Sequence, residues 1–500
     1  MDEHSGVIED RPHPSHLGMT GLKAVSPGSY HFLWLSLLLF PLLAIAFLLP
    51  LTPQDYWWYL PLGRGILATG SVPSVDTFSF PSAGQPIYYQ AWLAAVVFWL
   101  VHKAGGLALT FLLRGVLLAL TYGLLWRLMR KLGAGTQLAA GVTFLAALAS
   151  SNNWSVRPQL LVYPLFVLTL WLLYGWLRGE QNRLWPLPLI SLLWCNLHGS
   201  YVLFFILLGT ALLLGTGDRK RLLLWLLASA AVMFLNPRGP GLLFDTLDML
   251  RSPSNQSFST EWSPPVNLGW QMNLFFGWLL MLAPLAAWSP RKLSRLEWSW
   301  MLVFGWMALS GTRYVIWFLL LMALYTAGWL ADWGRKFLDR PRPEGSAFLN
   351  ISIGLLLLLG SLSLLPGLRE RWWAAAPLPY ESATTPVRAA EWLSAHPELP
   401  GPMLSDYAFS SYLEYALPER PVWIDTRFSN YPAAHWQRFQ SLAAADPAWP
   451  ALLDEEGINL VLLAEVTEPH LIAAMRTDPA WCEQYADADA VLFARCVPLP

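Results

Sequence analysis

Eight ionisable residues stand nearly alone in apolar or turn-forming surroundings. They are Asp55 and Arg64 in "PQDYWWYLPLGRG", Asp76 in "PSVDTFSF", Arg157 in "SVRPQ", His198 in "CNLHGSY", Arg238 in "NPRGPG", Glu261 in "TEWSPP" and Arg313 in "GTRYV". A carboxylate can accept a proton or hold a cation, and an arginine offers an anion a planar fork of donors. Each such group is costly to desolvate beside an apolar segment, so several on one face suggest an active-site or ligand cavity. Several of these residues, and the aromatics beside Asp55, also have a plainer reading. Arg157, Arg238 and Arg313 can snorkel, and His198, between Asn196 and Gly199, can be a satisfied histidine at a helix junction. Asp76 can cap a turn, and Trp57, Trp58 and Tyr59 can anchor a membrane interface.

The elements that would carry these residues are apolar helices. Hydrophobic residues make up 55% of the chain and charged residues 13%, against about 25% charged in soluble proteins, which marks a polytopic membrane protein. A net charge of -1 gives no argument for nucleic acid. Residues 1–30 read as a disordered cytoplasmic tail without the compact basic start of a cleavable signal peptide. The run from His31 to Leu51 reaches the roughly 20 residues that a crossing needs and reads as a signal anchor. Ten further spans are predicted at 107–126, 134–151, 159–177, 184–197, 200–217, 222–236, 269–288, 297–311, 314–330 and 349–366. The segment "AWLAAVVFWLVHKAGG" from Ala91 has about 11 uninterrupted apolar residues, which suits a juxtamembrane helix better than a crossing.

Charge placement supports that reading. If the Ala91 segment does not cross, the clusters Arg127/Arg130/Lys131, Arg178/Arg183, Arg219/Lys220/Arg221, Arg291/Lys292/Arg295 and Arg335/Lys336/Arg340/Arg342 all lie inside; if it does, all lie outside. The eight isolated residues then share the outer face, where snorkelling arginines are not expected to collect. No inverted repeat or matched pair of broken spans speaks for a transporter.

After a linker at 367–385, residues 386–500 alternate helix-like and strand-like stretches, which predicts a small extracytoplasmic α/β domain with a partly parallel sheet. Its strand-like stretches include "GPMLSD", "RPVWIDTR" and "INLVLLAEV". Asp425 and Arg427 would lie at a strand's carboxyl end, where such sheets bind ligands, or form a surface ion pair. No glycine-rich phosphate loop is present. Of three cysteines, Cys195 reads as inert packing, while Cys482 and Cys496 either pair in an oxidising compartment or stay free.

The stretch "DYWWYLPLGRGILATGSVPSVDTFSFPSAGQPIYYQAWLAAVVFWLVHKAGGLALTFLLR", followed by "RPQ", "NLHGSY", "NPRG", "EWSPP" and "TRY", resembles an uncharacterised branch of bacterial multi-spanning proteins. So does "LSDYAFSSYLEYALPERPVWIDTRFSNYP" near the carboxyl end. That branch is similar to the C-type (GT-C) glycosyltransferases, which include protein mannosyltransferases and the lipid A aminoarabinose transferase. The branch commonly has histidine where Tyr59 stands, and histidine and glutamate within Tyr89-Gln90-Ala91.

The resemblance implies an all-α membrane domain (31–366) of about eleven helices, with juxtamembrane helices in the first outer loop (54–104), plus the extracytoplasmic α/β domain. It implies an inner-membrane enzyme, amino terminus cytoplasmic, that passes a sugar from a polyprenyl-phosphate carrier to a lipid, glycan or protein acceptor. Asp55 would be the general base or a ligand of a divalent metal, with Asp76 and Glu261 as alternative acids. Arg157, Arg238, Arg313 and His198 would receive the donor phosphate, and Trp57, Trp58, Tyr59 and Asn196 would line the substrate. The competing class is a non-catalytic scaffold or lipid-binding protein whose outer domain docks an envelope partner.

Overall fold

The computed structural model describes residues 25–26, 29–180, 183–331, 345–373 and 379–497. Most of the predicted tail and the cluster Arg335/Lys336/Arg340/Arg342 lie outside the described residues. The first helix, α1 (Tyr30–Leu48), is apolar along its length and starts where the Ser29 side chain accepts from Phe32 N. A second, α2 (Tyr56–Thr69), follows a short turn and stops at Gly70, whose φ of 69° favours a residue without Cβ.

Helix α3 (Trp92–Lys131) breaks at Gly105 and Gly106, the latter with φ 54° and ψ -142°. Only glycine takes that conformation readily, so the break divides an arm beginning at Trp92 from a span running on to Lys131. The predicted juxtamembrane helix and the predicted span at 107–126 correspond to these two parts.

Each of the other predicted spans also falls on a helix. Among the described residues, four helices are long and apolar enough to cross a membrane: Tyr30–Leu48, Trp92–Lys131, Pro158–Leu177 and Gly269–Trp288. Thr136–Ala149, Leu187–Leu197, Gly199–Leu214 and Ala347–Leu362 are apolar but have 10–17 residues. At 1.5 Å per residue, 15 residues rise only about 22 Å, less than the hydrocarbon core of about 30 Å. The apolar helices make the chain a membrane protein, with four clear spans where the sequence predicts eleven.

One apolar core runs through these helices and takes in Phe47, Trp126, Trp194, Trp300 and Trp317. Helix α1 packs closely on α3 because Gly115 leaves room for the Phe47 ring. Arg114 of α3 donates to Leu49 O at 2.5 Å, pinning the end of the first span a few residues before Asp55.

The carboxyl-terminal part builds a four-stranded sheet from β1 (Met403–Ser405), β2 (Leu460–Ala464), β3 (Trp481–Ala486) and β4 (Ala490–Arg495), ordered β1-β2-β4-β3. Strands β1 and β2 are parallel; β4 is antiparallel to both β2 and β3. Alternate residues of β2 face two separate cores, Val461 and Leu463 on one side and Leu460 and Leu462 on the other. A strand covered on both faces explains the unbroken apolar run "LVLLA". Cys482 and Cys496 close a disulfide, which resolves the alternative left by the sequence, and Cys195 is buried and free.

One expected strand is absent. "RPVWIDTR" does not extend the ladder: Val422 alone makes bridges, to Met403 and to Ser79. Asp425 Oδ1 accepts from Arg427 N at 2.7 Å, a local turn that competes with strand pairing. Through Val422, the loop after α2 is stitched to the sheet edge by Phe80 N to Val422 O at 3.0 Å and Val422 N to Phe78 O at 3.1 Å.

Candidate functional site

Aspartate is a preferred helix cap, yet Asp55 makes no capping bond at the start of α2. Its carboxylate instead faces a cavity of about 680 Å³ formed where loops between the helices meet the carboxyl-terminal part. Asp55 Oδ1 accepts from Thr426 Oγ1 at 3.0 Å, and Oδ2 lies 3.8 Å from Arg157 Nε. Arg157 in turn forms an ion pair with Glu261. Arg157 precedes Pro158, and proline biases its predecessor toward extended backbone; its φ of -138° and ψ of 160° fit that constraint.

Arg313 and His198 complete this wall. The Arg313 guanidinium lies 4.5 Å over the Trp262 ring, and its backbone N–H donates to Glu261 O at 3.1 Å. Burial lowers the Arg313 pKa without depriving it of its charge. His198 Nδ1 accepts from Ser200 N at 3.0 Å, and its pKa is pushed down to about 3 by burial, with Arg313 and Arg157 adding to the effect. Its ring is therefore neutral. Trp58 and Tyr59 stack with centroids 3.8 Å apart on the cavity wall, and burial and then the Asp55 charge push the Tyr59 phenol well up, so it stays an O–H group.

Sequence reasoning thus names Asp55, Trp58, Tyr59, Arg157, His198, Glu261 and Arg313, all of which line this cavity. Five other candidates lie elsewhere. Asp76 is fully buried, bonded to Arg427 Nη1 at 2.9 Å and Asn430 Nδ2 at 2.5 Å. Trp57 is buried and packs against Tyr412 and Tyr415. Asn196 accepts from Trp92 Nε1 and Asn236 Nδ2. Arg238 is exposed and held by both oxygens of Asp245, at 2.7 and 3.2 Å. Arg64 lies 5.7 Å over the Trp99 ring, outside the lining.

The sequence gives no individual signal for Gln54, Thr426, Tyr407 and Phe428, which also line the cavity. Gln54 Oε1, Trp58 Nε1, Gln90 Nε2 and Arg157 Nε are buried on its wall without a hydrogen-bond partner. Among the described residues no group of three or more His, Cys, Asp or Glu gathers to hold a metal. The donor set near Asp55 is one further carboxylate with an arginine between, which does not fit a resident divalent ion.

No protein-family model and no curated protein matches the chain. Solved structures do. The oligosaccharyltransferase AglB from Archaeoglobus fulgidus, in complex with an inhibitory peptide and a dolichol-phosphate, superposes with a TM-score of 0.57 at 11% identity, over 94% of this chain and 76% of its own. The Archaeoglobus fulgidus oligosaccharyltransferase tethered to an acceptor peptide gives 0.55 at 12% identity, over 92% and 74%. The arabinofuranosyltransferase AftD from Mycobacteria gives 0.56 at 15%, over 92% of this chain and 41% of its own. The likeness is one of fold, shared with these three structures at low sequence identity.

Proposed function

We propose that this chain is a membrane glycosyltransferase that moves a sugar from a polyprenyl-phosphate carrier to an acceptor on the outer face of the membrane. The observation that carries the reading is the meeting of Asp55, Arg313 and the neutral His198 on one cavity wall, beside a stacked pair of aromatic rings. Asp55 takes the proton from the acceptor hydroxyl, whose oxygen attacks the anomeric carbon of the donor. The bond from that carbon to the phosphate oxygen breaks, and both electrons leave with the phosphate. Arg313 faces the charge that develops there, in a partly desolvated setting where a fixed cation acts strongly. Trp58 and Tyr59 offer stacked ring surface to a sugar. Arg238, tied to Asp245, has no part in this step, and Asp76, Trp57 and Asn196 keep the frame.

The dolichol-phosphate in the AglB complex supports a lipid-phosphate donor for this fold. The apolar helices expose side chains such as Leu280 and Trp306, the kind of surface that such a tail needs. In this reading eleven helices cross the inner membrane within 31–366, the amino terminus is cytoplasmic, and 386–500 is an extracytoplasmic domain that closes the cavity.

The test is purified protein in nanodiscs with a panel of polyprenyl-phosphate sugars, following thermal stabilisation and donor loss. A donor should stabilise the wild type and be consumed, Asp55→Asn should bind it without turnover, and Arg313→Ala should bind it weakly. Donor binding with turnover indifferent to Asp55 would sink the transferase and favour a lipid-binding scaffold.

A further inference from the structure

We propose that Arg157 is a built-in cation between Asp55 and Glu261, standing where a divalent metal would otherwise bridge the two carboxylates, and that it positions Asp55 without any metal. The inference rests on the reading of Asp55 as the reacting carboxylate and assigns Arg157 a task distinct from phosphate binding.

Three separate loops meet here: Asp55 before α2, Arg157 before the helix Pro158–Leu177, and Glu261 before the helix Gly269–Trp288. Two carboxylates brought together from distant loops repel unless a cation lies between them. Arg157 is that cation, with Nη1 on Glu261 Oε1 and Nε 3.8 Å from Asp55 Oδ2. The three side chains are 21%, 27% and 37% exposed for Arg157, Asp55 and Glu261, so water screens the cluster only in part. The Nε–H is buried and makes no hydrogen bond, one small closure short of Asp55. A metal placed at that point would have to displace the guanidinium, whose own charge keeps a second cation away from the two carboxylates. With Arg157 engaged by both acids, Arg313 is left to meet the donor phosphate.

The experiment titrates Mn2+ into the full-length protein in nanodiscs, reading free Mn2+ by electron paramagnetic resonance and stability by Tm. Wild type and Arg157→Lys should show no saturable binding. Arg157→Ala should acquire one Mn2+ site, roughly tenfold tighter or more than any binding by the wild type, and Glu261→Ala added to it should remove that site. Arg157→Gln, nearer in length to the native side chain, replaces the alanine variant should that one not fold. A purely structural arginine would change Tm without creating a Mn2+ site. Saturable Mn2+ binding by the wild type that Asp55→Asn removes overturns the proposal, as does a folded neutral variant that gains no site. No arm needs a sugar donor, so failure of the transferase reading leaves this result legible.

Discussion

A carboxylate at the start of a helix that leaves its own N–H groups uncapped is being used for something else. Among the described residues, Thr426 is the one hydroxyl that holds Asp55, at 3.0 Å, and a hydrogen bond to a charged group contributes about 1.5–3 kcal/mol. Thr426→Val should therefore cut turnover by roughly tenfold or more while Tm stays near wild type, as donor consumption would reveal. Arg313→Ala should weaken donor binding by about 10- to 100-fold, with Arg313→Lys recovering only part because an ammonium lacks the planar fork; isothermal titration distinguishes the two. His198 carries a pH signature. Its folded value near 3 lies below the ordinary 6.5, so the unfolded chain binds more protons between those limits. The stability that its burial contributes is complete above about pH 6.5 and declines as pH falls toward 3. Tm measured from pH 7 to 4 should fall less steeply in His198→Asn.

At the scale of elements, the loop after α2 is fastened by a buried charge cluster. Arg427 Nη1 bonds Asp76 at 2.9 Å, its Nη2 meets Asp425 at 2.5 Å, and Glu414 lies 3.6 Å away. Burial, then the Asp425 charge, pushes the Glu414 carboxyl well above its usual range, so it keeps a proton in the folded chain. The folded state thus holds a proton that the unfolded chain releases above about 4.5, and the associated stability fades as pH rises. Glu414→Gln, which mimics the protonated acid, should flatten the fall in Tm between pH 6 and 9. A steeper fall in that variant would contradict the assignment. Sequence alone singles out Asp76, Asp425 and Arg427 by type, but neither their pairing across 351 positions nor the turn that Asp425 makes with Arg427 leaves a periodic trace. The local alternation of "RPVWIDTR" therefore reads as a strand that a side-chain bond to the backbone has forestalled. The break at Gly105 and Gly106, by contrast, is legible because glycine's conformational freedom is a property of the residue itself.

Across the whole molecule, the apolar runs and isolated charges are enough to foresee five residues that line the cavity, Asp55, Arg157, His198, Glu261 and Arg313, because desolvation cost is local, while Trp58 and Tyr59 come only with the resemblance. Further lining, with Thr426, Tyr407 and Phe428, comes from the carboxyl-terminal part and depends on long-range docking that no local pattern records. That docking constrains topology. If residues around Ser429 close a cavity on the outer face, they and the loop at Lys220 lie on opposite sides of the membrane. In a Cys195→Ser background, Ser429→Cys should react with an impermeant maleimide on intact cells, whereas Lys220→Cys should react only after permeabilisation. Cys482 and Cys496 should stay silent until reduced, as a disulfide formed in an oxidising compartment requires. Labelling of both introduced thiols from one side would break the odd number of crossings and, with it, the outward-facing cavity on which the sugar-transfer reading depends.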